Sequence, residues 1–162
     1  MRAALVELLE WLEKSSWAVG IRQSLYLYPV LEIIHILGIV MLVGAAFLFD
    51  LRLLGYSKNL PVAGLAKHLL PWSQRGLILI IPSGLLLFIT NAQALGTDFT
   101  FWLKLALILV AALNAWIFHR FIYKIPKGDS RETMLSGTSK LSALISISVW
   151  IAVIACGRLL AY

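Results

Sequence analysis

The chain has 162 residues, 60% of them hydrophobic and 14% charged, with a formal net charge of +6 and a mean hydropathy of +0.88. Soluble domains average about 45–50% apolar and about 25% charged residues, so a water-soluble globular domain is excluded and an integral membrane protein is expected. The basic excess would suit a nucleic acid, but the Lys and Arg residues fall between apolar segments, where membrane topology accounts for them and no nucleic-acid partner is expected.

Residues 1–28 set Leu5, Leu8, Leu9 and Leu12 to one side, add Trp11 and Trp17, and place Glu7, Glu10 and Glu13 where a cleavable signal needs an apolar core. They predict an amphipathic helix lying in the membrane interface. Four later stretches, 29–54, 72–95, 99–123 and 139–161, reach the roughly 20 apolar residues needed to cross about 30 Å of hydrocarbon. Continuous apolar runs disfavour barrel strands, which alternate. Breakers fall at Pro29, Gly55, Pro61, Gly96 and Pro126-Lys127-Gly128, and Pro82 inside the second span predicts a kink. The expected fold is therefore all-α: a single domain over 1–162, an integral membrane four-helix bundle with an N-terminal amphipathic interfacial helix, embedded in the lipid bilayer.

An even number of spans puts both termini on one side. The two loops opposite them hold Arg52, Lys58, Lys67, Arg75, Arg120, Lys124, Lys127, Arg131 and Lys140. The terminal side has Arg2, Lys14, Arg22, Lys104 and Arg158, offset by Glu7, Glu10, Glu13, Glu32 and Asp98. Positive charge marks the cytoplasmic side, so both termini are expected to face outward.

Charged groups at membrane depth are costly unless paired or hydrated, so they tend to mark a site. At about 1.5 Å of rise per residue, His35 and Asp50 sit roughly 22 Å apart on the first span, near opposite surfaces. The third span repeats the interval with Lys104 and His119. An external layer then gathers His35, Lys104, Glu32 on the same helical face as His35, Arg158 from the fourth span, and Thr90 and Asn91 from the second. Gly38 and Gly44 permit close packing or the approach of a flat ligand. Asp50 and His119 share the cytoplasmic layer.

Plainer readings stand beside these. Lys104 and Arg158 can snorkel to the interface, and Glu32 can simply pair with either. Asp50-Leu-Arg52 resembles a helix-end clamp on a loop. His119 suits structure or ligation equally, His68 reads as interfacial, and Ser139, Ser142 and Ser146 form a packing seam. Cys156, the single cysteine, reads as a small buried residue.

A membrane helix bundle with an inward histidine suggests b-type haem held by axial ligands from facing helices. His35 lies across the membrane from His68 and His119. A bis-histidine pair that includes it fails, leaving His35 with Lys104 or water opposite, or a His68/His119 pair. A di-iron bundle needs Glu-x-x-His on two helices and occurs here once, at Glu32 and His35.

The stretches IHILGIVMLVGAAFLFDLRLLG, PW, FWLKLALILVAALNAWIFH and CGRLLAY resemble, over nearly the whole chain, a family of small uncharacterised four-helix bacterial inner-membrane proteins. More distantly, His35 early in span one, Lys104 early in span three and Arg158 in span four are similar to the four-helix haem-binding protoporphyrinogen oxidases and the copper-resistance-D-like membrane proteins. This resemblance implies a bacterial inner-membrane location and a haem b site built on His35 as iron ligand, with Lys104 nearby. Asp50-Leu-Arg52 and the last span differ from the oxidase pattern, so porphyrinogen oxidation is not carried over. The expected function is a small b-type cytochrome or haem-dependent redox protein, working with a membrane redox partner or as a homo-oligomer. The alternatives are a non-enzymatic accessory subunit, or a proton-coupled carrier using Glu32 and His35.

Overall fold

The computed structural model describes residues 2–57, 59–122 and 137–160, the side chains of 2, 3, 63 and 122 excepted. Arg2 as a charge, Lys58, Lys124, the Pro126-Lys127-Gly128 break and Arg131 therefore lie outside what is described. Every described element is helical: α1 (Arg2–Glu13), α2 (Ser16–Gln23), α3 (Leu27–Leu53), α4 (Val62–Thr90), α5 (Ala92–Thr97), α6 (Phe99–Ile117), a π-helical turn (Phe118–Ile122) and α7 (Gly137–Leu159).

Four of these helices are long and apolar enough to cross a membrane: Leu27–Leu53, Gly64–Thr90, Phe99–Phe121 and Gly137–Leu159. Their outward faces carry Ile36, Val40, Ile78, Leu109 and Ile151, all exposed. Such faces are intelligible only with lipid against them. The chain is a membrane protein.

Local chemistry sets the helix ends. Pro29 falls in the first turn of α3, where no intrahelical donor is missed. At the other end Gly55, with φ of 105°, closes a Schellman motif: Tyr56 N–H reaches the Leu51 carbonyl at 3.1 Å and Gly55 N–H the Arg52 carbonyl at 3.2 Å. The Asp98 side chain caps α6 by accepting from Thr100 N–H at 2.6 Å. Helix α4 differs most from expectation. It starts ten residues before the apolar run at 72 and passes through Pro71 and Pro82, because Pro61 supplies an extended N-cap and each interior proline removes only one donor.

Helices α3 and α4 form one antiparallel pair and α6 and α7 another, and α3 packs on α7 to join them. Glycines bring the first pair together. A Cβ on Gly76 would lie 2.7 Å from the Gly38 carbonyl oxygen and 2.8 Å from Leu42 N, so the two backbones touch as small residues allow. Gly44, by contrast, faces open space. We call the half holding the starts of α3 and α6 and the ends of α4 and α7 the upper half. The opposite, lower half holds the tight core: Phe49, Leu53, Ala66, Phe118 and Ala143, with the Phe49 and Phe118 rings edge to face at 5.7 Å.

The helix expected over residues 1–28 is two, split at Lys14-Ser15 because Ser15 caps α2 by accepting from Ala18 N–H at 3.4 Å. Helix α1 docks on α5 and α4, and α2 on α4 and α3, with Leu9, Ala18 and Ile21 buried, while Trp11 and Trp17 stay exposed, suited to a membrane interface.

Candidate functional site in the upper half

His35 is half-buried on α3 and turns to α4. Its Nδ1 lies 3.0 Å from Ser83 Oγ, and that hydroxyl is 2.5 Å from the Leu79 carbonyl and 3.3 Å from that of Ile80. A hydroxyl has one hydrogen, and here it goes to a backbone carbonyl of the preceding turn. Ser83 therefore accepts from Nδ1–H. In the neutral imidazole this assigns the proton to Nδ1 and leaves Nε2 as a bare lone pair. The ring packs against Gly84, whose absent Cβ would stand 2.9 Å from Cε1 and 3.5 Å from Nδ1. Serine fixes the tautomer and glycine makes the room.

Lys104 reaches the same layer from α6. Its ammonium stands 3.6 Å from where a Cβ of Gly157 on α7 would be, and it lies within electrostatic range of both His35 and Cys156. Above this layer the Phe88 and Phe101 rings stack at 5.2 Å and join α4 to α6, while Trp102 donates its Nε1–H to the Gly96 carbonyl at 3.0 Å.

Of the other expected members of the layer, Thr90 and Asn91 are elsewhere. Glu32 is exposed, and its nearest charge effect is on Tyr28, one turn back. Arg158 is exposed at the end of α7. Thr90 and Asn91 belong to a separate junction. There Arg22 donates to the Thr90 carbonyl at 2.9 Å and to Glu13 Oε1 at 3.3 Å, and Glu13 Oε2 accepts from Gln93 N–H at 3.2 Å. One ion pair thus caps the end of α4 and the start of α5. A groove of about 430 Å³ beside it is lined by Val6, Leu9, Glu13, Gln93, Ala94 and Thr97.

In the lower half His119 is exposed on the π-helical turn, its ring 5.8 Å from that of Phe118, and His68 is exposed on α4. Neither shares the His35 layer. Arg52 Nε donates to the Leu60 carbonyl at 2.7 Å and so clamps the loop after α3. Ser139, Ser142 and Ser146 are all buried along one face of α7.

A model of a family of unknown function, DUF6644, matches residues 8–162. The chain belongs to the DUF6644 family. No curated protein and no solved structure matches it. In this DUF6644 protein, sequence reasoning missed Ser83, Gly84, Gly157, Glu13 and Arg22. The serine and glycine follow Pro82 directly, and a hydroxyl next to a helix-interior proline at the depth of His35 is the signal that could have found them.

Proposed function

We propose that this protein binds b-type haem in the upper half of its helix bundle and serves a redox or electron-transfer role in a bacterial inner membrane, with both termini outward. The observation carrying this reading is the His35–Ser83 hydrogen bond, which leaves Nε2 bare. Axial and metal-bound histidines characteristically donate their other ring N–H in this way. The donor set fits the group. His35 would hold the iron, and Lys104 would stand as second ligand or as charge partner. Bound haem supplies one-electron chemistry whose potential is tuned by such ligands and by their hydrogen bonds. The chain's own part is to orient the imidazole through Ser83, seat it against Gly84, and place one cation in the same layer. Glu32, Arg158 and His119 are not needed.

The test is the reduced-minus-oxidised visible spectrum of detergent-purified protein expressed with ample haem. A Soret peak with α and β bands is expected, and His35→Ala should abolish it while His119→Ala leaves it intact. A folded, colourless preparation would sink the proposal.

A second reading, a non-enzymatic subunit working with other membrane proteins, draws on the same contacts. His35 wedged between Ser83 and Gly84 also works as a pin that holds α3 and α4 in register. On that reading His35→Ala lowers the yield of folded protein and removes no chromophore. A proton-coupled carrier built on Glu32 and His35 finds less support, since Glu32 is exposed.

A further inference from the structure

The charge pattern assigns Arg75 to the loop between the first two spans, and the structure moves it into the membrane. The second span runs from Gly64 to Thr90, so Arg75 sits about 16 Å from its lower end and about 22 Å from its upper end at about 1.5 Å of rise per residue. Helix α3 gives an independent measure of the same depth. A Cβ on Gly76, the next residue, would stand 2.7 Å from the carbonyl oxygen of Gly38, which is about 16 Å below Leu27 and about 22 Å above Leu53. Both helices place Arg75 close to the middle of the bilayer.

While Gly76 is buried against α3, Gln74 and Arg75 are exposed. The Arg75 guanidinium lies over the ring of Trp72, also exposed, 5.4 Å from its centroid. A ring face attracts a cation without neutralising it. Lys67, close to the Gly64 end of the span, can snorkel to the headgroups, whereas Arg75 is some three turns too deep. Ile78, Ile81 and Leu85 continue the exposed surface of α4 upward. Lipid suits those three residues, but a guanidinium at mid-depth is costly against hydrocarbon.

We propose that the outward face of α4 around Trp72, Gln74 and Arg75 receives a transmembrane helix of another membrane protein, one that carries an Asp or Glu at mid-depth. A carboxylate compensates a guanidinium where water is scarce, and the planar fork of arginine takes it through two parallel N–H···O bonds. Gln74 adds an amide able to bond across the helix contact. A second copy of this chain is disfavoured by charge, since rotation about the membrane normal would bring another Arg75 to the same depth. Among the described carboxylates, Glu7, Glu10, Glu13, Glu32 and Asp98 belong to the upper end, and Asp50 is buried in its own bundle. The assignment holds whether or not the upper half carries haem.

The test is photo-crosslinking of the full chain in its native membranes, with benzoylphenylalanine placed at Ile78, 70% exposed and one turn above Arg75. The expected product joins this chain to a second membrane protein, identified by mass spectrometry, whose cross-linked helix carries an Asp or Glu level with Arg75. Arg75→Gln should lower its yield about tenfold without changing the melting temperature of the isolated chain. Arg75→Asp, combined with a lysine in place of the partner's carboxylate, should restore it, and Lys67→Gln should leave it unchanged. Cross-links confined to lipid, to a second copy, or to residues 123–136 of the chain itself would overturn the proposal. So would a partner helix without a carboxylate, or a yield indifferent to Arg75→Gln.

Discussion

The two halves of the bundle use polar residues in opposite ways. In the lower half Asp50, Arg52, Ser139, Ser142 and Ser146 are buried, as are Phe49, Leu53, Ala66, Phe118 and Ala143, and Arg52 bonds to the loop at Leu60 while Ser142 and Asn114 tie α7 to α6. In the upper half His35 and Lys104 are only partly buried, and a glycine faces each of them, Gly84 on α4 and Gly157 on α7. Lipid tails are as apolar as leucine, so helices in a membrane are held by close packing and hydrogen bonds rather than by exclusion of water. The lower half has both. The upper half instead sets glycines against two basic side chains.

The comparison would break most visibly in the core. Leu53, 1% exposed, should cost about 3 kcal/mol when replaced by alanine, whereas Ile36→Ala, on a lipid-facing residue 57% exposed, should stay within about 0.5 kcal/mol. Unfolding in mixed detergent micelles measures both, and equal losses would mean that the core is not confined to the lower half. Next comes the α3–α4 seam. Gly76→Ala drives a methyl to within 2.7 Å of one backbone atom and 2.8 Å of another, neither of which can swing aside. It should cost about 2 kcal/mol. Gly44→Ala, with nothing within 4 Å, should be neutral or stabilising by up to about 1 kcal/mol. A smaller effect is expected at the N-terminal junction. Arg22→Ala releases both Glu13 and the Thr90 carbonyl, and because the pair is partly solvated the loss should be about 1 kcal/mol. Limited proteolysis would show it as earlier cleavage in α1 and α2.

These magnitudes follow from contacts that differ in how far the sequence discloses them. Span number was legible because apolar runs of this length have no other stable solution, and depth followed from rise per residue. That arithmetic puts His35 level with Lys104, and Asp50 level with the Phe118-His119 turn, as the Phe49–Phe118 contact reflects. The start of α4 was not legible, because the apolar run begins only at 72, after Lys67 and His68, whereas the helix itself begins at Val62 and passes through Pro71. Rotation about each helix axis was hidden too. With apolar residues on every face, periodicity cannot tell which side of α3 meets α4, so neither Ser83 beneath His35 nor the outward turn of Glu32 could be read. Glu13 and Arg22 escaped for a different reason: nine residues apart and on separate helices, they meet only because Ser15 breaks the chain between them.

A small expected change in stability tests the upper half most sharply. Gly84→Ala places a methyl 2.9 Å from His35 Cε1, a contact with a side chain rather than with backbone, so the ring can shift by a few tenths of an ångström and the fold should lose no more than about 1 kcal/mol. The shift cannot be innocuous for the imidazole. It moves Nδ1 off Ser83 Oγ, from a starting separation of 3.0 Å, and turns Nε2 away from its present direction. If the space around His35 serves a ligand, the Gly84→Ala protein should melt almost like the parent yet retain about tenfold less haem, as Ser83→Ala should by removing the same hydrogen bond. If His35 is only a pin between α3 and α4, the two variants should differ from the parent in melting temperature alone. Measuring haem content and melting on the same preparations separates a glycine kept for a ligand from one kept for a helix contact.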